Sequence, residues 1–258
     1  MRNLSVTELL ADNDSYGRFA PGIDGLSVHA VPLHAIREGA WDTEVEVIVG
    51  ATSCESCAGE GMFVPPGPPR ELPDANYTAA LNATFGPGRF RSPVNLSPAE
   101  VASWYAEYKA KRGGWEALTR IASDNSHACN AHFLSAALLA TAGNASVRRY
   151  EFRAAGGHPG QAWPGAPHAS DLEYTFRTTS PYLPSHLSPG QQVLAERMQE
   201  LWGEADRLDS SDWPPCTPGK PSCDRVMIFD TPHTSIETEA SLDDGSAALH
   251  CKFWEEFM

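Results

Sequence analysis

The segment EVEVIVGATSCESCAGEGMF (residues 44–63) decides the fold, because it joins a strand pattern to a loop that carries acidic side chains. Its first six residues are rich in β-branched side chains and are followed by Gly50, a pattern that predicts a strand over residues 44–49. The loop after this strand holds Glu55 and Glu60. Loops at the carboxyl ends of strands form ligand-binding crevices in α/β proteins, so we expect an acidic group of functional interest here.

Two further strands are predicted, with helices between them. Residues 147–153 (VRRYEFR) alternate apolar and polar side chains, and the Gly/Pro-rich loop beyond them, GGHPGQAWPGAPH, ends at His168. Residues 226–230 (VMIFD) form the third candidate. The segment 97–112 predicts a helix whose first helical residue is Pro98. Further helices are predicted over residues 114–122, 127–142, 191–205 and 250–257. The alternation of strands and helices indicates an α/β fold, and no boundary divides residues 1–258.

Composition excludes several classes of protein. The chain has 258 residues, of which 41% are hydrophobic and 20% charged, which is typical of a globular domain. No apolar run is long enough to predict a membrane span. The net charge is −14, and no cluster of Lys and Arg offers the surface that nucleic acid or anionic lipid requires. We therefore expect neither partner.

The asparagine pattern predicts a secreted glycoprotein. Six of the eight asparagines begin an N-x-S/T acceptor, where about one would be expected by chance. The even number of cysteines, six, suits an oxidising compartment. The first residues, MRNLSVTELLADNDS, lack the apolar stretch of a signal peptide, so secretion would require sequence upstream of Met1. The acceptor asparagines are Asn3, Asn13, Asn76, Asn82, Asn95 and Asn144.

Two pairs of cysteines are close in sequence. Cys216 and Cys223 flank a Pro/Gly-rich loop, CTPGKPSC, whose turn residues predict a local disulfide. Cys54 and Cys57 form a CxxC, but no second ligand pair follows at zinc-finger spacing, which argues against structural zinc. Six cysteines allow 15 pairings, so the role of this CxxC stays open.

No complete catalytic motif occurs in the sequence. There is no G-x-S-x-G nucleophile elbow, Walker loop, G-x-G-x-x-G or H-E-x-x-H. The order of the acid loop and then His168 does match the order of the acid and the base in α/β-hydrolases, with the preceding serine segment absent. In that mechanism the histidine is the general base and the acid holds its tautomer.

Four segments together carry a resemblance to a known family. They are FAPGIDG (19–25), VPLHAIREGAWDTEVEVIVG (31–50), GEGMFV (59–64) and WPGAPHASDLEYTF (163–176). From about residue 6 to its end, the chain resembles the C-terminal half of type-B carboxylesterases, the cholinesterase-like family. The resemblance implies the C-terminal portion of an α/β-hydrolase fold, with a mostly parallel central sheet flanked by helices. The N-terminal half with the nucleophile elbow is absent.

The resemblance also implies roles for particular residues. GEGMFV resembles the family's D-E-G-x-F, which makes Glu60 the acid of the catalytic triad and Phe63 a substrate-binding aromatic. Relative to the family, five residues are inserted between Gly50 and Glu60, and without that insertion Glu55 takes the acid's place. We prefer Glu60 on the match of its flanking residues and keep Glu55 as the alternative. The WPGAPHASDLEYTF segment makes His168 the base.

Two further segments imply a long-range disulfide. DNSHACNAHF resembles the family's D-x-x-x-x-C segment and LHCKFWEEF its C-x-F-W ending, and the family joins the two cysteines, here Cys129 and Cys251. One departure lies beside the base, where the family's glycine is replaced by Ala169.

The function that the resemblance implies is hydrolysis of a small-molecule carboxylic ester by a Ser-His-Glu acyl-transfer mechanism. This chain would supply the Glu and the His without the Ser, so it is not expected to be active alone. No metal or organic cofactor is implied. The alternatives are a non-catalytic cholinesterase-like adhesion or binding module and an inactive truncated fragment. Without partner strands the sheet would expose an edge, so we expect the isolated chain to fold poorly or to depend on a partner.

Overall fold

A computed structural model describes residues 22–57, 71–86, 96–143, 145–154, 165–176, 187–203 and 212–257, without the side chains of residues 243–249. The chain divides into two compact units, Met1–Trp41 and Asp42–Met258. In the first unit, helix α1 (Pro32–Arg37) is followed by Gly39 at a φ of 77°. The chain therefore leaves this helix through a glycine in the left-handed region. A further short helix, which the pattern VTELLA predicts over residues 6–11, lies outside the described residues.

The second unit contains a four-stranded, mostly parallel sheet flanked by helices. Its strands lie in the order β1 (Val47–Thr52), β2 (Val147–Phe152), β3 (Val226–Phe229) and β4 (Ser235–Glu237). The first three strands are parallel, whereas β4 pairs antiparallel with β3. The α/β class and the mostly parallel sheet are thus confirmed. Within the described ranges, β1 pairs with β2 alone.

The first strand is shifted relative to its prediction. It begins at Val47 and continues through Gly50 to Thr52, whereas the pattern predicted residues 44–49. Gly50 lies opposite Tyr150 in the register of β1 and β2. A Cβ at this position would lie 1.9 Å from the Tyr150 ring. The glycine therefore admits the tyrosine ring within the strand and does not end it.

The helices of the second unit mostly follow the predicted ranges. They are α2 (Asp74–Phe85), α3 (Pro98–Trp104), α4 (Ala106–Arg112), α5 (Gly114–Ser123), α6 (Cys129–Thr141), α7 (Leu172–Phe176), α8 (Pro189–Gly203) and α9 (Ser246–Glu255), with a 3₁₀ segment over Glu239–Gly245. The sequence patterns did not predict α2, α7 or β4.

A single π-helical turn, Asp124–Ala128, joins α5 to α6. The run from residue 114 to residue 141 is therefore helical throughout, where the pattern predicted two separate helices. Ser97 begins α3 with a capping box, in which its side chain accepts from the Ala99 N–H and its own N–H is bound by Glu100.

Helices cover both faces of the sheet. Tyr150 and Phe152 belong to an aromatic and aliphatic core that includes Met198 of α8. Arg149 alternates with them along β2 and so points to the opposite face, where its guanidinium lies 3.6 Å from Glu239. Helix α6 contacts both β1 and β2. The parallel strands therefore lie between a helix layer that contains α8 and one that contains α6.

Three disulfides are present. The pairs Cys129–Cys251 and Cys216–Cys223 confirm the two predicted bridges. The third, Cys54–Cys57, gives a role to the CxxC that the sequence left open. Among the helices in the described part of the chain, none is long and apolar enough to cross a membrane.

Candidate active site

The acid loop begins where β1 ends, and its central side chain is Glu55. This carboxylate is buried, and its Oε1 accepts the backbone N–H of Thr52 at 2.7 Å. The disulfide between Cys54 and Cys57 brackets it on both sides. The Ser56 N–H donates to the hydroxyl of a serine on α5 at 3.1 Å. The loop is thus fixed by covalent and backbone bonds, which hold Glu55 in one position.

The histidine loop is attached directly to the acid loop. The Cys54 N–H donates to the Ala166 carbonyl at 2.9 Å, and the Ala166 N–H donates to the Ser53 hydroxyl at the same distance. Gly165 allows this close approach, because a Cβ there would lie 2.7 Å from the Ser53 oxygen. These bonds bring His168 to the end of β1, although 113 residues separate it from Glu55.

The turn after His168 is anchored to β2. Ala169 has a φ of 62°, in the left-handed region that glycine favours. Two residues later, Asp171 Oδ2 accepts the hydroxyl of Tyr150 at 2.9 Å. The Tyr150 ring reaches this position because it packs over Gly50. Burial raises the pKa of the Asp171 carboxyl, and the hydrogen bond from Tyr150 offsets part of that rise.

Glu55 and His168 form the central pair of the site. Nδ1 of His168 lies 2.6 Å from Oε2 of Glu55. A carboxylate only accepts hydrogen bonds, so Nδ1 carries the proton and Nε2 of the neutral ring carries the lone pair. The His168 side chain is 39% exposed and that of Glu55 is 6% exposed. A buried acid therefore orients a histidine that reaches solvent.

The charge state of Glu55 suits this role. Burial alone would raise the pKa of the carboxyl. The hydrogen bonds from His168 and from the Thr52 N–H, together with the charge that His127 and His168 carry whenever they are protonated, outweigh burial and lower that pKa below its ordinary value. Glu55 is therefore ionised at neutral pH and accepts the proton-bearing Nδ1.

A second histidine borders the pair. His127 lies on the π turn, and its ring centroid is 4.8 Å from that of His168. Its Nδ1 is 2.8 Å from the Ser126 hydroxyl, which in turn donates to the Ala122 carbonyl at 2.6 Å. Because the hydroxyl proton is used at Ala122, the serine oxygen accepts from Nδ1 of His127. The lone pair of the neutral His127 ring is therefore on Nε2.

The glutamate that contacts His168 in the structure is Glu55, the acid kept above as the alternative. Glu60 and Phe63 lie outside the described residues, and the Nδ1 atom that Glu60 was expected to bind is bonded to Glu55. Glu55 is the fifth residue after Gly50 of β1. This is the position that the family's spacing gives to the acid when no insertion is assumed. The match of the residues that flank Glu60 favoured that glutamate, and its role as the acid stays a prediction, whereas the observed contact is made by Glu55.

The other predicted site residues divide into two groups. Asn76 and Asn82 are exposed on α2, and their glycosylation stays a prediction. Asn95 and Asn144 lie outside the described residues. Sequence reasoning did not select His127, because the π turn displaces it from the 3.6-residue periodicity on which helix predictions rest.

A cavity of about 550 Å³ borders the acid loop. Ser53 and Cys54 line it, together with charged side chains from the ends of the strands. Glu55 and His168 do not line it. Two of its charged residues form an ion pair, in which Arg153 donates a hydrogen bond to Glu237 at 2.8 Å, so their charges offset each other. The chemistry of the site therefore rests on the Glu55–His168 pair.

Comparison with protein-family models finds no match to this chain, and comparison with curated proteins likewise finds none.

Proposed function

We propose that this chain provides the acid and the base of a serine carboxylic ester hydrolase with an α/β-hydrolase fold. The observation that carries the proposal is the 2.6 Å contact between Glu55 and Nδ1 of His168 at the carboxyl ends of a parallel sheet. The acid follows β1 and the base follows β2, in the chain order of α/β-hydrolases.

In the proposed reaction, a serine hydroxyl attacks the ester carbonyl while Nε2 of His168 takes its proton. Glu55 stabilises the imidazolium that forms. His168 then returns the proton to the leaving alcohol, and an acyl-enzyme remains. Water, deprotonated by the same nitrogen, releases the carboxylic acid. The proposal takes the serine from outside these 258 residues, because the sequence has no G-x-S-x-G segment.

Three features of the site support this role over a purely structural one. Glu55 is ionised and buried, so its charge acts on His168 at short range. Its orientation is fixed by the Thr52 N–H and by the bracketing disulfide. His168 is accessible at the sheet edge, whereas a histidine that only completes a core would be enclosed.

We also propose that the protein acts in the secretory pathway or outside the cell. The three disulfides and the six N-x-S/T acceptors support this compartment.

The test is turnover of p-nitrophenyl acetate by the protein expressed from the transcript that encodes this chain, read upstream of Met1. We expect His168→Ala to lower kcat by about 10⁶-fold. Glu55→Gln should lower it by about 10⁴-fold, because the tautomer is no longer held. Glu60→Gln serves as the matched control and should stay close to the parent.

Absence of ester turnover and of labelling by a fluorophosphonate would overturn the proposal and leave the binding-module alternative. If Glu60→Gln lost activity while Glu55→Gln kept it, the proposed reaction would stand but the assignment of the acid would be overturned.

A further inference from the structure

We infer that Glu55, His127 and His168 form a binding site for Zn²⁺, and that an ion bound there blocks the base. Each of these side chains offers one donor atom that lies within 4.8 Å of the other two. Two imidazole nitrogens and one carboxylate oxygen are the donor set of many zinc sites that keep a fourth position for water.

The geometry needs a small adjustment to hold an ion. Zinc bonds of about 2.0–2.1 Å in a tetrahedral arrangement place donor atoms about 3.3 Å apart. Glu55 Oε2 and His168 Nδ1 are already closer than this, at 2.6 Å. His127 must therefore move closer to the other two donors. Its side chain is exposed, so a change in its χ angles has little packing cost. The buried Glu55 is the fixed point of the site.

The hydrogen bonds around the site prepare two of the donors. Nδ1 of His127 donates to Ser126, which leaves the lone pair of the neutral ring on Nε2, as a second partner sets the tautomer of a ligating histidine in known metal sites. On Glu55, the Thr52 N–H occupies Oε1 and leaves Oε2 as the oxygen beside the imidazoles. The Asn130 amide donates to the Ser126 carbonyl at 2.7 Å and steadies the turn that carries His127.

The ion would replace the proton that now joins Glu55 to His168. Zinc takes the lone pair of Nδ1, and the proton of the neutral ring is then carried on Nε2, with no net change in the charge of the ring. Nε2 is the nitrogen that accepts the serine proton, so the metal-bound ring is not a base. This consequence rests on the proposed function, whereas the binding of the ion does not.

The donor set also predicts which ions bind. Imidazole nitrogens favour Zn²⁺ and neighbouring transition metals, whereas Mg²⁺ and Ca²⁺ prefer oxygen ligands. The site should therefore discriminate strongly between ZnCl₂ and MgCl₂.

The test is calorimetric titration with ZnCl₂, in the absence of any ester, of the same purified protein that is used in the ester assay. We expect saturable binding of one ion per chain. His127→Ala and Glu55→Gln should each weaken it by about tenfold or more. His233→Ala, which removes an exposed histidine in the turn after β3, is the matched control and should bind as the parent does. The visible bands of bound Co²⁺ give a second readout of nitrogen and oxygen coordination.

Three results would overturn the inference. They are the absence of saturable binding, an unchanged affinity in His127→Ala with its melting curve intact, and an equal loss in His233→Ala. Because no substrate is present, a negative ester assay would leave a positive zinc result standing, and a negative zinc result would leave the esterase proposal untouched.

Discussion

His168 and His250 each lie beside a carboxylate, but the first side chain is 39% exposed and the second 3%. Glu55 is bonded to His168 at 2.6 Å, whereas Asp124 lies 3.4 Å from Nδ1 of His250. The two pairs use the same chemical groups. They differ in what else surrounds the carboxylate.

Asp124 is completely buried in a network of stronger donors. The guanidinium of Arg120 donates to it at 2.9 Å and the Tyr105 hydroxyl at 2.8 Å. Trp254 in turn donates to the tyrosine oxygen at 2.7 Å, and the His250 ring stacks on the same tyrosine at 4.2 Å. The network joins the junction of α3 and α4, α5, the π turn and α9, so its function is to hold helices together.

Glu55 has no arginine among the hydrogen-bond partners described for it, only a backbone N–H and an imidazole. Its negative charge therefore acts on His168 instead of being neutralised by a permanent cation. This environment fits the role proposed for Glu55, because its carboxylate contacts an imidazole that reaches solvent. The following predictions measure this contrast, from the largest expected effect to the smallest.

The largest effect should come from the disulfide that fastens the Asp124 network to the end of the chain. Replacing Cys129 and Cys251 together by Ser should lower the free energy of unfolding by about 4–5 kcal/mol, because 122 residues separate the two cysteines. The matched control, replacing Cys216 and Cys223 by Ser, closes a much shorter loop and should cost about 2 kcal/mol. Urea denaturation of both variants checks the ranking, and equal losses would contradict it.

The two carboxylates should differ sharply when each is neutralised. Asp124→Asn should cost about 3–5 kcal/mol of stability, because it removes the charge of one partner from a buried ion pair with Arg120. Glu55→Gln should cost about 1 kcal/mol, the worth of its hydrogen bond to the partly exposed His168, and should keep the fold. Thermal melts of the two variants give the comparison. If Glu55→Gln were the more destabilised, the pair would be structural.

Acid should weaken the Asp124 network. Burial would raise the pKa of Asp124, but Arg120 and His250 lower it below its ordinary value of 3.8. A lowered folded-state pKa contributes stability that is present above the unfolded value and is lost as the pH falls through the folded value. Urea midpoints should therefore be level from pH 7 to about pH 5 and fall below about pH 4. A midpoint that rises on acidification over this range would contradict the prediction.

The smallest effect should come from the turn beside the base. Ala169→Gly should stabilise the chain by about 1 kcal/mol, because Ala169 has a φ of 62°. Ala166→Gly, in the same loop but outside the left-handed region, is the matched control. It should destabilise by about 0.5–1 kcal/mol through the added freedom of the unfolded chain. Opposite signs in the two melts support the turn geometry.

Sequence patterns predicted the elements whose periodicity is regular and missed those set by tertiary contacts. The amphipathic pattern of α8 and the β-branched β3 were found within a few residues of their ends. Strand β4 was missed because its three residues are too few to show alternation. The predicted and observed bounds of β1 differ because only the Tyr150 ring, 100 residues away in the chain, explains why Gly50 belongs inside the strand.

The site was predictable in its parts. His168 and the strand before the acid came from motif spacing, and the structure brings them together. The choice between Glu55 and Glu60 depended on a loop whose length the sequence does not constrain. The short CxxC loop around Glu55 was a usable signal, because a disulfide that closes so small a loop immobilises the residue inside it.

The most direct test of the account is the Nδ1 proton of His168, observed by NMR in the chain labelled with ¹⁵N-histidine. A hydrogen bond of 2.6 Å to Glu55 predicts a far-downfield, slowly exchanging resonance at neutral pH. The account predicts that this resonance is lost in Glu55→Gln and retained in Glu60→Gln. Its retention in Glu55→Gln with loss in Glu60→Gln would contradict the central claim that Glu55 is the acid that orients His168.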